Sequence, residues 1–141
     1  MKFLVAVDGS ENSVRAVSYA VEMVQHYPES HITLLYVDTL ATVLSRKGAE
    51  FPSNFEDVRG QAVKQALVKA EKILLEKSIP FKTKVLEGFD IAETVSEYAK
   101  EKGFDQIILG TRGLGNLSGI VMGSVSHKIL HLSPCPVTLV K

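Results

Sequence analysis

Four residues late in the chain, Gly110, Gly113, Gly123 and Ser124, have the types and spacing to hold phosphate. They follow the apolar run Ile107-Ile108-Leu109 and form the pattern Gly-x2-Gly-x9-Gly-Ser. Glycines let backbone N–H groups approach an anion closely, and a helix N-terminus adds unpaired donors and partial positive charge. Two commoner nucleotide patterns fail on the same residues. A P-loop would need Lys and then Ser or Thr after Gly115, where Asn116 and Leu117 stand. A dinucleotide fingerprint starting at Gly113 and Gly115 would need glycine or alanine at Ser118, and it would normally follow the first strand. Arg112, inside the pattern, reads equally as a guanidinium fork for phosphate or as a solvated loop arginine.

The elements that must position these residues alternate in type. Phe3 to Val7 is a short apolar run ended by Asp8-Gly-Ser, which predicts a buried strand. Val14, Val17, Val21 and Val24 recur at helical spacing, with Ser10 or Asn12 as cap and an end before Pro28. Ile32 to Val37 is a second strand. From Asp38 to about Ser53 no period is visible, so a long connection is expected, of the length that often carries function. Val58, Ala62, Ala66, Ala70 and Ile73 mark a long helix ending near Ser78. Phe81 to Glu87 alternates as a half-exposed strand would. Asp90 with Glu93 suggests a capping box, and Gly103 a helix stop. Ile107 to Leu109 is the fourth strand. Val125, Ile129 and Leu132 line a last helix, and Val137 to Val140 is the fifth strand.

This order predicts one α/β domain over residues 1–141: a doubly wound, five-stranded parallel sheet, order 3-2-1-4-5, with helices on both faces. Ligands of such sheets bind where the winding reverses, here between strands 1 and 4. Asp8 ends the first and Gly110 the fourth, so topology brings two distant segments to one crevice. Asp8 reads either as a cap for the first helix or as a ligand group, and its place at the reversal favours the ligand role.

Gly110, Gly113, Gly123 and Ser124 match without departure the signature of the universal stress protein family in its ATP-binding branch. The resemblance extends from the Val-Ala-Val-Asp8 opening to the Pro-Cys-Pro-Val-Thr-Leu-Val ending. It implies that Gly113, Gly123, Ser124, Val125 and Ser126 surround the phosphates of ATP, with backbone N–H groups and the Ser124 and Ser126 hydroxyls donating. It also implies that Ala6, Val7 and Asp8 at the end of the first strand, with Val37 at the end of the second, border the adenosine. Gly110 and Arg112 complete the expected set. Some ATP-binding members carry proline two residues before the aspartate, where this chain has Ala6. Mg²⁺ is expected to be held mainly by the phosphates, because no ligand cluster is visible. The family further implies a homodimer through strand 137–140, whose edge carries no interior charge or proline.

An ATP-binding regulatory protein, working as a nucleotide-dependent switch with an unidentified protein target, is therefore the leading expectation. Slow or absent hydrolysis goes with it, since no residue stands ready to orient an attacking water. One alternative is an ATP-consuming enzyme of adenine-nucleotide α-hydrolase architecture, although Asp8-Gly-Ser-Glu-Asn-Ser13 lacks that group's double glycine. A nucleotide-free dimerisation module is the other.

Composition narrows the field. Lys plus Arg and Asp plus Glu number 16 each, so no basic excess argues for nucleic acid or an anionic membrane as partner. The five-residue apolar start is too short for a signal-peptide core, and no run approaches a membrane span, which leads to a cytoplasmic expectation. The one cysteine, Cys135, excludes an internal disulfide and reads as a buried thiol. His127 and His131 are four apart, but no third ligand is evident and a surface pair is expected. Ile120, Val121 and Met122 form an apolar segment that either covers a nucleotide or plugs the core.

Overall fold

The computed structural model describes residues 1–114 and 122–141. Residues 115–121, which include Ile120 and Val121 of the apolar segment, lie outside the described residues.

Among the described residues ten elements follow in order: β1 (Lys2–Ala6), α1 (Glu11–His26), β2 (His31–Asp38), α2 (Leu40–Arg46), α3 (Phe55–Glu76), β3 (Phe81–Glu87), α4 (Ile91–Lys102), β4 (Gln106–Gly110), α5 (Ser124–Leu132) and β5 (Val137–Val140). The strands form one parallel sheet in the order β3-β2-β1-β4-β5, as the alternation predicts. Because side chains alternate across a strand, the central strands feed two cores. Phe3, Val5, Ile32, Leu34 and Ile108 pack with Ala16, Val17 and Ala20 of α1 and Leu67, Ala70 and Leu74 of α3. On the opposite face Leu4, Leu35, Ile107 and Leu109 pack with Ala92, Val95 and Ala99 of α4 and Ile129 of α5. The near-continuous apolar runs are what a strand covered on both faces requires.

Local signals account for the helix ends. Ser10 caps α1, its Oγ accepting from Ser13 N at 3.2 Å. Gly103 ends α4 in the left-handed region, at φ 62°. Asp90 caps α4 by accepting from Glu93 N at 3.0 Å. Only half of the expected capping box forms, because the Glu93 carboxylate pairs with Lys128 instead.

Several expectations need correction. The connection after Asp38 is not irregular throughout, for residues 40–46 form α2. That helix buries no residue, so it leaves no apolar stripe for a periodicity search to find. The core seam of α3 runs through Ala66, Leu67, Ala70 and Leu74, whereas Val58 is exposed; Phe55 in the first turn is buried apart from both cores, with the Phe51 ring 4.5 Å away. Strand β3 does not alternate. It is an edge strand with most residues exposed, and only Phe81 and Leu86 pack inward, onto opposite cores. Cys135 is half-buried rather than enclosed.

Candidate functional site

A crevice of about 790 Å³ opens at the C-terminal ends of the strands, where β1 and β4 lie side by side. Of the eleven residues anticipated from the sequence, ten line it: Ala6, Val7, Asp8, Val37, Gly110, Arg112, Gly113, Gly123, Ser124 and Val125. Ser126 stands behind this wall, buried, with its hydroxyl donating to the Gly110 carbonyl at 2.9 Å. That bond occupies the Ser126 hydroxyl proton, so its side chain ties α5 to the end of β4 instead of offering a donor to the crevice.

Asp8 is not the cap of α1. Its Oδ1 accepts from Ser10 N at 2.9 Å, forming an Asx turn that shapes the link from β1 to α1. Gly9 takes φ +84° within that turn and lies against Ala66 of α3, where an added Cβ would stand 3.1 Å from the Ala66 Cα. The other Asp8 oxygen points across the crevice. A Cβ built on Gly113 would lie 2.5 Å from Asp8 Oδ2, so glycine at 113 leaves the carboxylate its space. Among the described residues no donor reaches Asp8 Oδ2.

Asp38 repeats the turn at the end of β2, its Oδ1 accepting from Leu40 N at 2.9 Å. Its Oδ2, however, is bound by Arg59 Nε at 2.7 Å, and Arg59 also reaches Glu87 on β3. Asp38 is thus a buried structural acid, while Asp8 keeps one oxygen open. Tyr36 lines the crevice, and burial, followed by the nearby Asp38 and then Asp8, pushes its phenol above the usual value. The ring stays neutral and its hydroxyl keeps a proton to donate.

The glycines of the loop have separate reasons for being there. At Gly110 an added Cβ would stand 2.6 Å from Asn12 Cβ and 2.7 Å from Asn12 C, so glycine admits the first turn of α1 against the end of β4. Gly123 has room, its nearest neighbours standing 3.6 Å away. It is the N-cap of α5 and offers no side-chain cap. Its own N–H donates to Thr111 O at 2.7 Å, folding the loop back on itself. Among the described residues no acceptor meets the N–H groups of Ser124, Val125 and Ser126. Helix α5 therefore brings an uncapped, partly positive end to the crevice, whereas α1 arrives already capped by Ser10.

Sequence reasoning missed Tyr36, Thr39, Gln65 and Lys69, all of which line the crevice. The one available signal was the pair Ala62 and Ala66, small residues one turn apart that let α3 approach. Lys69 adds a cation, paired with Glu11 Oε1 at 3.2 Å. His127 and His131 are exposed, with ring centroids 4.8 Å apart. Among the described residues no group of three His, Cys, Asp or Glu could hold a metal, and no helix is long and apolar enough to cross a membrane.

Comparison with known proteins places this geometry in a family. The model of the universal stress protein family matches residues 1–141. Universal stress protein YxiE of Bacillus subtilis is 33% identical over 147 residues, spanning 99% of this chain and 98% of its own. Among solved structures, the universal stress protein from Archaeoglobus fulgidus in complex with dAMP superposes with a TM-score of 0.74 at 18% identity, covering 100% of this chain and 98% of its own. A universal stress protein family protein from Arabidopsis thaliana, with AMP bound, gives 0.68 at 21% identity, covering 100% and 91%.

Proposed function

This chain belongs to the universal stress protein family, and from that premise we propose that it binds ATP in the crevice and acts as a nucleotide-dependent regulatory switch. One observation carries the reading: an acid with a free oxygen and an uncapped helix N-terminus face the same crevice from two segments about a hundred residues apart. A nucleotide needs such a pair. The ribose hydroxyls or adenine amino group donate to Asp8 Oδ2, and the phosphates accept from the N–H groups of Ser124, Val125 and Ser126 and from the Ser124 hydroxyl. Ala6, Val7 and Val37 border the adenine, and Gly113 leaves room for the sugar beside Asp8. Arg112 at the rim supplies a cation to the phosphates. The AMP and dAMP held by two proteins of the same fold support an adenine nucleotide as the occupant.

Mg²⁺ belongs to the same proposal. It commonly keeps several waters and binds through phosphates and one or two carboxylates, so the absence of a ligand cluster among the described residues suits a metal carried by the nucleotide. The site offers ground-state binding without a placed nucleophile, which favours a switch over rapid turnover. The protein target of that switch is an unidentified partner, and a cytoplasmic setting goes with it.

Calorimetric titration with ATP tests the reading. Wild type should bind, and Gly113→Val, which drives a side chain into the Asp8 carboxylate, should lose at least about tenfold, or 1.4 kcal/mol. Equal affinity in the two proteins would sink the assignment of this crevice.

A further inference from the structure

Beside the main crevice lies a second hollow of about 340 Å³, between α2, α4 and α5. Thr39, Ile91, Ser124 and Val125 line both spaces, so the two meet at the α5 N-terminus. The rest of its wall is Val43, Phe89, Asp90, Ala92 and Lys128. Phe89 is 47% exposed, and the Arg46 guanidinium stands 3.5 Å from its ring centroid. A flat aromatic backed by a cation is a platform for a nucleic base. Lys128 Nζ lies 2.7 Å from Asp90 Oδ2 and 2.8 Å from Glu93 Oε1.

This set of groups selects among occupants. A lone anion is disfavoured, because Asp90, the cap of α4, and Glu93 already take up the Lys128 charge. An acyl chain would leave the Asp90 and Lys128 side of the hollow unmatched. A nucleoside suits every wall: its base meets Phe89 and Val43, and its sugar hydroxyls donate to Asp90. Lys128 then stands near phosphates arriving from the α5 N-terminus.

We infer that this hollow is a subsite for the second nucleoside of a dinucleoside polyphosphate whose first nucleoside and phosphates occupy the main crevice. The inference rests on the nucleotide reading of that crevice. It extends the ligand class from mononucleotides to two-headed nucleotides, with α5 between the heads.

The test is calorimetry with three probes: ATP, adenosine 5′-tetraphosphate and diadenosine tetraphosphate. The two tetraphosphates share a phosphate count, so their difference isolates the second adenosine. Wild type should bind the dinucleotide about tenfold more tightly than adenosine tetraphosphate, within the range of one stacked base. Phe89→Ala should abolish that advantage and leave ATP affinity unchanged. Should Phe89→Ala fail to fold, Val43→Glu places a charge in the same hollow and should act alike. Equal affinity of the tetraphosphates in wild type, with ATP still bound, overturns the subsite and spares the nucleotide reading. An advantage that survives in the folded variants also overturns it. Failure of all three probes to bind overturns both.

Discussion

Three glycines of one motif do three different jobs, and substitution separates them. Gly110→Ala forces a Cβ into the Asn12 backbone, so it should destabilise the fold by about 1–3 kcal/mol, the usual cost of overpacking. Gly123→Ala meets only ordinary contacts, and its stability should stay within about 0.5 kcal/mol of wild type. Chemical denaturation of both variants checks the contrast, and equal losses would show that the loop glycines serve one common purpose. Much of the site was legible at this scale. Gly110, Gly113, Gly123 and Ser124 announce themselves by spacing, and Asp8 by its place at the end of the first strand. Lys69, Gln65 and Tyr36 were not legible, because tertiary packing brings them in. Helical spacing tells which face of α3 Gln65 and Lys69 share and not which neighbour that face meets. The engagement of the Ser126 hydroxyl by Gly110 O was hidden for the same reason.

Among the elements, α5 brings its uncapped N-terminus to the crevice and is held in place from two sides. Ile129 is fully buried in the core beneath it, and Lys128 ties it to Asp90 and Glu93 of α4. The Lys128 ammonium, and then the Glu93 N–H, hold the Asp90 carboxyl below its usual range. A depressed carboxyl contributes stability above its unfolded pKa of about 3.9 and loses it as pH falls through the lower folded value. Asp90→Ala should therefore cost about 1 kcal/mol at neutral pH, the usual worth of a helix cap. The gap to wild type should narrow as pH drops below about 4, where the carboxyl begins to protonate in the unfolded chain. Thermal melts between neutral and acidic pH measure this, and a gap that widened in acid would contradict it. Strands β1, β2 and β4 and helices α1, α3, α4 and α5 were readable because each buries an apolar run or stripe. Helix α2 was not, since it buries no residue: its N-cap Thr39 lines the crevice and its neighbour, and Val43 lines the neighbour. Strand β3 misled because Lys82, Thr83 and Lys84 suggest alternation, yet as an edge strand it has little cover on either face.

For the whole molecule, doubly wound topology explains how a crevice arises from residues so far apart in sequence. Reversal of winding between β1 and β4 leaves a gap that no crossover helix covers among the described residues, and the C-terminal ends of both strands open onto it. The same topology leaves β5 at an edge. Pro136 O accepts from Ile107 of β4 and Val140 O from Thr111 just past it, so the ladder alternation turns the Val137 and Leu139 N–H groups outward. We propose that this edge pairs with its copy in a homodimer. Wild type should sediment as a dimer at micromolar concentration, and Leu139→Pro, which removes an outward donor, should shift it to monomer. A monomeric wild type would refute that pairing. The central claim, that nucleotide lies with its phosphates at the α5 N-terminus and its adenosine by Asp8, is tested most directly by amide-resolved NMR titration. ATP should shift the amide signals of Asp8, Val37, Ser124, Val125 and Ser126, and adenosine should reproduce the shifts at Asp8 and Val37 while leaving those at residues 124–126 small. Saturable shifts elsewhere in the chain, with these five signals unmoved, would contradict the account.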